Sequence, residues 1–240
     1  RRLLIPPSVA ALLVKASAPP PLEAVFTGGG PVFPHLLKAL TRWAARAQVH
    51  AVYGSTEAEP IAHVAASEIS KEDYSSMASG KGLLAGRPVQ EVALRFLDDE
   101  ILVAGRHVNE GYLDPSDDSE TKIRENGRTW HRTGDLGRLD EHGRLWLLGR
   151  RAGRIGGLNP FAVECAALAW PGVEGAALAS VGGEPVLALC GDLSRQEEWR
   201  FLARTLSIKS VRHLSRIPLD RRHNSKVDYV RLQRQLQRTY

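Results

Sequence analysis

Trp130-His131-Arg132-Thr133-Gly134-Asp135, answered fifteen residues later by Gly149-Arg150, is the stretch from which the rest of the chain is best read. An Asp at a tight Gly turn just before a strand accepts hydrogen bonds from two neighbouring hydroxyls, and an Arg on the other side holds a phosphate or a ribose. Two glycine-containing segments precede it, Phe26-Thr27-Gly28-Gly29-Gly30-Pro31 and Tyr53-Gly54-Ser55-Thr56-Glu57. A late lysine, Lys226 in Arg222-His223-Asn224-Ser225-Lys226-Val227-Asp228, completes the set. Together these residue types point to a nucleotide.

Composition narrows the class. The 240 residues suffice for one or two domains, and 43% apolar with 25% charged residues is ordinary for a globular chain. Net charge is +5, unevenly spread: residues 200–240 carry eleven Lys/Arg against two Asp/Glu, a surplus of nine, so the remainder sums to −4. A basic tail binds nucleic acid, closes over an anionic small ligand, or is simply a solvated face. This one lacks interleaved aromatics, so nucleic acid is not expected. Cys165 and Cys190 show no metal spacing and read as two buried, reduced thiols. No apolar run reaches the roughly 20 residues of a membrane span, and prolines cut the N-terminal apolar stretch at once, so a cytoplasmic protein is expected.

Along the chain, residues 8–15 read as a short helix with Ser8 as N-cap, and 22–26 as a strand ending at the triple glycine. Residues 34–47 have helical spacing and 49–53 form the next strand, which makes a β-α-β unit and predicts a parallel sheet. Both glycine segments then lie at the carboxyl ends of strands, where ligands of open α/β sheets gather. From residue 86 come short strands, 89–96, 100–104, 135–139 and 144–148, with a hairpin turn at 140–143, which predicts a small barrel-like or antiparallel subdomain. Residues 114–128 read as a polar surface excursion. Beyond a glycine-rich joint at 153–157, helices over 160–169, 195–205 and 227–236 alternate with strands over 173–181, 185–190 and 210–214, an α+β unit. The expected divisions are 1–85, 86–149 and 150–240, giving a fold of α/β and α+β class.

Taken singly, each candidate has a plainer reading. Gly28 to Gly30 suit any β-to-α turn, Tyr53 a core, Asp135 a braced turn, and Glu57 and Lys226 a solvated surface. His131, His142 and His223 read as surface or turn residues, and Trp43, Trp146 and Trp170 as packing residues. The ordered set outweighs these readings, because independent coincidences multiply.

Residues 27–34 (TGGGPVFP), 53–60 (YGSTEAEP), 130–150 (WHRTGDLGRLDEHGRLWLLGR) and 218–232 (PLDRRHNSKVDYVRL) resemble, in this order, the acyl-adenylate-forming superfamily. Within it, segments 53–62, 132–146 and 222–226 are most similar to the β-lactone synthetases of olefin biosynthesis. The resemblance implies an AMP-forming ligase in which a carboxylate attacks the α-phosphate of ATP, giving acyl-AMP and pyrophosphate; positioning and charge stabilisation do most of the work. It implies that Tyr53 stacks on adenine, while Gly28, Gly29 and Gly30, with Gly54 and Ser55, let the nucleotide approach the backbone. Thr56 bonds a phosphate, Glu57 holds Mg²⁺, Asp135 grips both ribose hydroxyls with Arg150 beside it, and Lys226 neutralises the reacting charges from a mobile C-terminal lid. The implied partners are ATP and a carboxylic acid, fatty or β-hydroxy fatty. Val32, Phe33, Pro60 and Ile61 are local candidates for lining the acyl site.

The pattern departs twice. The family's glycine-rich Ser/Thr phosphate loop has no counterpart before Gly28, so the chain reads as the C-terminal portion of a longer enzyme, with that loop on a preceding segment or a separate chain. Alone it is not expected to make acyl-AMP. At the joint, Ala152 stands at the hinge position and the following loop is short, which leaves coenzyme A open as acceptor. The alternatives are lactone formation by the substrate's own hydroxyl, with AMP leaving, and a non-catalytic nucleotide-binding module.

Overall fold

The computed structural model describes residues 1–16, 18–220 and 225–238. Strands β1 (Arg2–Ile5), β2 (Ala24–Thr27) and β3 (Gln48–Ser55) pair in parallel, with helices α1 (Pro7–Leu13) and α2 (Pro34–Trp43) between them. The predicted β-α-β unit is therefore present. Ser8 is not its helix cap: α1 starts at Pro7, whose fixed φ and missing N–H suit a first turn with no capping side chain. Helix α2 ends four residues earlier than predicted, where Ala44 leaves the helical region, and its Leu36, Leu37 and Leu40 are buried.

Strand β4 (Ala58–Ala65) returns antiparallel on β3. Helix α3 (Lys71–Ala78), unmarked in the sequence reading, is opened by a reciprocal cap: Asp73 N donates to Ser70 Oγ and Ser70 N to Asp73 Oδ2, each at 3.0 Å. There follow β5 (Leu83–Pro88), β6 (Val92–Leu97), β7 (Glu100–Gly105), α4 (Asp118–Thr121), β8 (Lys122–Glu125), β9 (Arg128–Leu139) and β10 (Leu145–Arg150). These strands continue the parallel ones in a single sheet of order β1-β2-β3-β4-β5-β10-β9-β7-β6, with β8 beside β9. Among the described residues there is no closed barrel, because β6 and β1 each end the path with one neighbour.

Strand β5 is where the sheet turns a corner. Its Arg87 and Pro88 pair with β4, whereas Leu83, Leu84 and Gly86 pair with β10. Gly86 has φ 91°, and a β-carbon there would lie 2.1 Å from the His63 carbonyl oxygen. Only glycine lets β4 cross so closely. Behind the corner, Asp140 gathers the hairpin that joins β9 to β10. It accepts from Trp146 Nε1 at 2.9 Å and Arg144 Nε at 2.8 Å, and Arg144 also grips Asp73 on α3. Trp146 is fully buried, as predicted; Trp43 and Trp170 pack at core margins.

The last unit comprises α5 (Pro160–Ala167), β11 (Val173–Val181), β12 (Glu184–Gly191), α6 (Gln196–Thr205), β13 (Ser210–His213) and α7 (Tyr229–Gln237), with sheet order β11-β12-β13. Alternation divides its sides: Leu178, Leu187 and Leu189 pack with Val163 and Trp199, while Ala177, Ala179 and Ala188 meet Leu232 and Leu236 of α7. Cys165 is buried with its thiol pushed up to about 12, chiefly by burial. Cys190, predicted buried, is only partly so; both thiols are free. Glu164 is also buried, accepts from Leu178 N at 3.1 Å and bonds the Tyr229 hydroxyl. Among the described residues no helix is long and apolar enough to cross a membrane.

Two outcomes are expected. Gly86→Ala combines a left-handed backbone with a clash against main chain, and should destabilise by about 3 kcal/mol or more; Gly127→Ala, also at positive φ but in open space, should cost about 1. Equal shifts in urea midpoint for the two would refute the corner. Burial raises the Glu164 carboxyl to about 8 in the fold, against about 4.3 unfolded. Between those values the folded state keeps a proton that the unfolded state has lost, so this group's contribution falls as pH rises and levels off above the upper value. Replacing it by glutamine should remove that part of the slope, read from urea midpoints at about pH 5 and about pH 8.

Candidate functional site

Folding at the corner brings the end of β3 against the interior of β9, although they stand four strands apart in the sheet order. Tyr53 Oη donates to Asp135 Oδ2 at 2.9 Å, and Arg150 Nη1, at the end of β10, reaches Asp135 Oδ1 at 3.1 Å and the Thr133 carbonyl at 3.0 Å. The first sequence motif is not a turn before a strand, as its glycine suggested. It lies inside β9, where Gly134 has φ 70° and the pairing with β7 slips between Leu136 and Arg132. This bulge turns Asp135 toward Tyr53. Thr133 Oγ1 fixes it, donating to the Ile101 carbonyl at 2.9 Å and accepting from Asp135 N at 3.0 Å. Both carboxylate oxygens thus have one partner and keep room for another. Burial, then the Asp135 charge, holds the Tyr53 phenol far above its usual range, so it stays a donor.

Gly28 to Gly30 follow β2 directly. A β-carbon on Gly28 would lie 2.5 Å from the Val52 carbonyl oxygen, and one on Gly30 would lie 3.1 Å from Ser225 Oγ. The second distance places the loop of Lys226 against the glycine segment. Asp220 shapes that loop: its Oδ1 accepts from Ser225 N at 3.2 Å and Lys226 N at 3.1 Å, leaving the Lys226 side chain exposed. His223 and the rest of 221–224 lie outside the described residues.

Thr56 and Glu57 form the two-residue turn of the β3–β4 hairpin, Thr56 exposed and Glu57 half-buried. Gly54 permits this turn, since a β-carbon there would lie 2.8 Å from the Ala58 carbonyl oxygen. Glu57 Oε1 accepts from Tyr112 Oη at 2.9 Å. Burial pushes its carboxyl up, but hydrogen bonds led by Tyr112 outweigh this and leave it below its usual range. His131 is not on the surface as expected: it is buried in β9, its Nδ1 3.2 Å from Lys122 Nζ, and burial, then Lys122, lowers its pKa. His142 is exposed as predicted. Ile61 is sealed in the core and lines no open site, and Val32 is buried; Phe33 meets Phe161 of α5 edge-on, ring centroids 6.2 Å apart, while Pro60 is exposed.

Among the described residues, two of the few buried side-chain polar atoms without a hydrogen-bond partner belong to these segments, Thr27 Oγ1 and Ser225 Oγ, whereas the Ser55 hydroxyl faces the Glu57 carboxylate and helps to keep it ionised. A buried polar group left unpaired is costly, and its usual resolution is a ligand or water.

No protein-family model matches the chain. It is 30% identical to the olefin β-lactone synthetase of Stenotrophomonas maltophilia, over 94% of this chain and 49% of that one. It is 36% identical to the 2-succinylbenzoate–CoA ligase of Bacillus cereus, over 61% of this chain and 30% of that one. The O-succinylbenzoate coenzyme A synthetase of Bacillus subtilis, solved with ATP and magnesium ion, superposes with TM-score 0.68 at 25% identity, covering 98% of this chain and 51% of that one. The chain belongs to the acyl-adenylate-forming superfamily. It spans about half the length of the Stenotrophomonas synthetase, and corresponds to the C-terminal portion of these enzymes. The superfamily resemblance singled out Tyr53, Asp135 and Arg150, which the fold brings into one contact set. It did not mark Thr133, Tyr112, Lys122 or Asp220, which have no local spacing to betray them.

Proposed function

We propose that this chain is the nucleotide-handling portion of an AMP-forming ligase that activates a carboxylic acid as acyl-AMP. The observation that carries the reading is Asp135: a carboxylate oriented by Tyr53 and Arg150 at the rim of the strand ends, with a free acceptor site on each oxygen for the two ribose hydroxyls. The unpartnered hydroxyls of Thr27 and Ser225 supply further donors of the kind a nucleotide's acceptors satisfy. Tyr53 offers adenine a ring whose orientation is fixed through its hydroxyl. Gly28 to Gly30 allow the base to approach the main chain, and exposed Thr56 meets a phosphate oxygen.

Glu57 fits Mg²⁺ as a hard oxygen donor that stays ionised, and the metal, when bound, offsets phosphate charge. The substrate carboxylate attacks the α-phosphorus, the bond to the β-phosphate oxygen breaks, and pyrophosphate leaves. Lys226, held by the Asp220 loop beside Gly30, neutralises charge on the reacting carboxylate and phosphate. The acid is proposed to be fatty or β-hydroxy fatty, in a soluble, cytoplasmic setting.

A second reading concerns the acceptor. The joint after Arg150 is compact: a short turn over Arg151–Gly153, then a two-residue turn at Gly156 and Gly157 closed by paired Ile155 and Leu158. Together with the match to a β-lactone synthetase along nearly the whole chain, this favours attack by the substrate's own hydroxyl over transfer to coenzyme A.

Asp135→Ala should weaken AMP binding by about 1.5–3 kcal/mol for each hydrogen bond lost to the charged group; calorimetry on this chain measures it, and an unchanged affinity would remove Asp135 from the site. In a preparation competent for adenylation, Lys226→Ala should slow acyl-AMP formation by about 10²–10³ while leaving AMP affinity and stability nearly unchanged. An equal loss in rate and in AMP binding would make Lys226 a general contributor to charge instead.

A further inference from the structure

The polar segment after β7 lies largely on the surface, as expected, but it buries Asp118 and Lys122. We infer that Tyr112 is a positioning residue, its hydroxyl holding Glu57 in the orientation that presents the second carboxylate oxygen to a divalent cation on a bound nucleotide. The inference rests on the proposed role of Glu57 and extends it to a residue outside all the sequence motifs.

Glu57 sits on a two-residue turn, and its three side-chain torsions would otherwise leave the carboxylate free to swing. Tyr112 Oη donates to Oε1 at 2.9 Å, and the Ser55 hydroxyl and the main chain at Glu57 also face the carboxylate; the tyrosine bond takes one oxygen of the pair and fixes the plane of the other. The donor is itself held. Tyr112 N donates to Asp118 Oδ1 at 2.9 Å, and Arg124 Nη2 closes on Asp118 Oδ2 at 2.6 Å. The turn's main chain is tied to the same segment: Asn109 N donates to the Glu57 carbonyl at 2.7 Å, and buried Lys122 Nζ donates to the Asn109 carbonyl at 2.5 Å. The Lys122 ammonium also lies 5.1 Å from the centre of the Tyr112 ring. Side chain and main chain of Glu57 are therefore braced from one loop, as outer-shell partners brace metal ligands.

The test is calorimetric binding of MgATP and of metal-free AMP to the 240-residue chain. Tyr112→Phe should weaken MgATP about 10-fold, the lower end for losing an outer-shell partner, and leave AMP unchanged. Glu57→Gln should do at least as much, and the double variant no more than Glu57→Gln alone. If Glu57→Gln weakens MgATP and Tyr112→Phe does not, the bracing is wrong while the role of Glu57 stands. If Glu57→Gln leaves MgATP unchanged, or the wild-type chain binds no MgATP, the role of Glu57 fails and the bracing with it. Equal weakening of AMP by Tyr112→Phe would make the hydroxyl merely structural. Should that variant not fold, Asp118→Asn, which loosens the loop but keeps the hydroxyl, should show the same metal-dependent split, and its absence would overturn the inference.

Discussion

The close crossing of β4 over Gly86 is the constraint on which the site depends. A sheet that continued flat through β5 would leave Tyr53 and Asp135 far apart, with three strands between β3 and β9. Because β5 gives its first half to β10 and its second to β4, the sheet folds over and the two side chains meet at 2.9 Å. The bulge at Gly134 completes the arrangement by turning Asp135 out of the regular alternation. The corner brings Tyr53 and Asp135 within reach of each other, and the bulge aims the carboxylate.

Much of this was legible in the sequence, for identifiable reasons. The β-α-β unit was visible because helical and strand periodicities alternate across short glycine turns, and the last unit because its apolar positions alternate cleanly. The candidate residues were visible because each belongs to an ordered motif whose chemistry is local. What escaped was set by distance. Gly86 looks like any glycine until the carbonyl of His63 is placed against it. The Gly134 turn was mistaken for the start of a strand because a bulge and a turn share the same left-handed glycine. The segment around Lys122 read as solvated because its charges are frequent, yet the ammonium goes inward once a main-chain carbonyl and an imidazole nitrogen are there to receive it.

The last unit is tied to the rest with few polar bonds and much close packing. Pro160 lies against the bare α-carbon of Gly149, and Phe161 meets Phe33 edge-on. Arg154 spans the joint, bonding Asn159 on one side and Asp99 on the other. Exposed ion pairs of this kind contribute little and are screened by salt.

The unpaired hydroxyls of Thr27 and Ser225 would have a consequence for molecular discrimination in the proposed site. A dry oxygen with no partner is a standing penalty that a fitting guest relieves and an ill-fitting one perpetuates, at about 1–3 kcal/mol for each group. A guest of the right shape but with a methylene where an acceptor is expected would forfeit that relief at each point. In the proposed nucleotide site this would disfavour near-mimics through what is left unsatisfied, a form of selectivity that needs no added bulk and no repulsive charge.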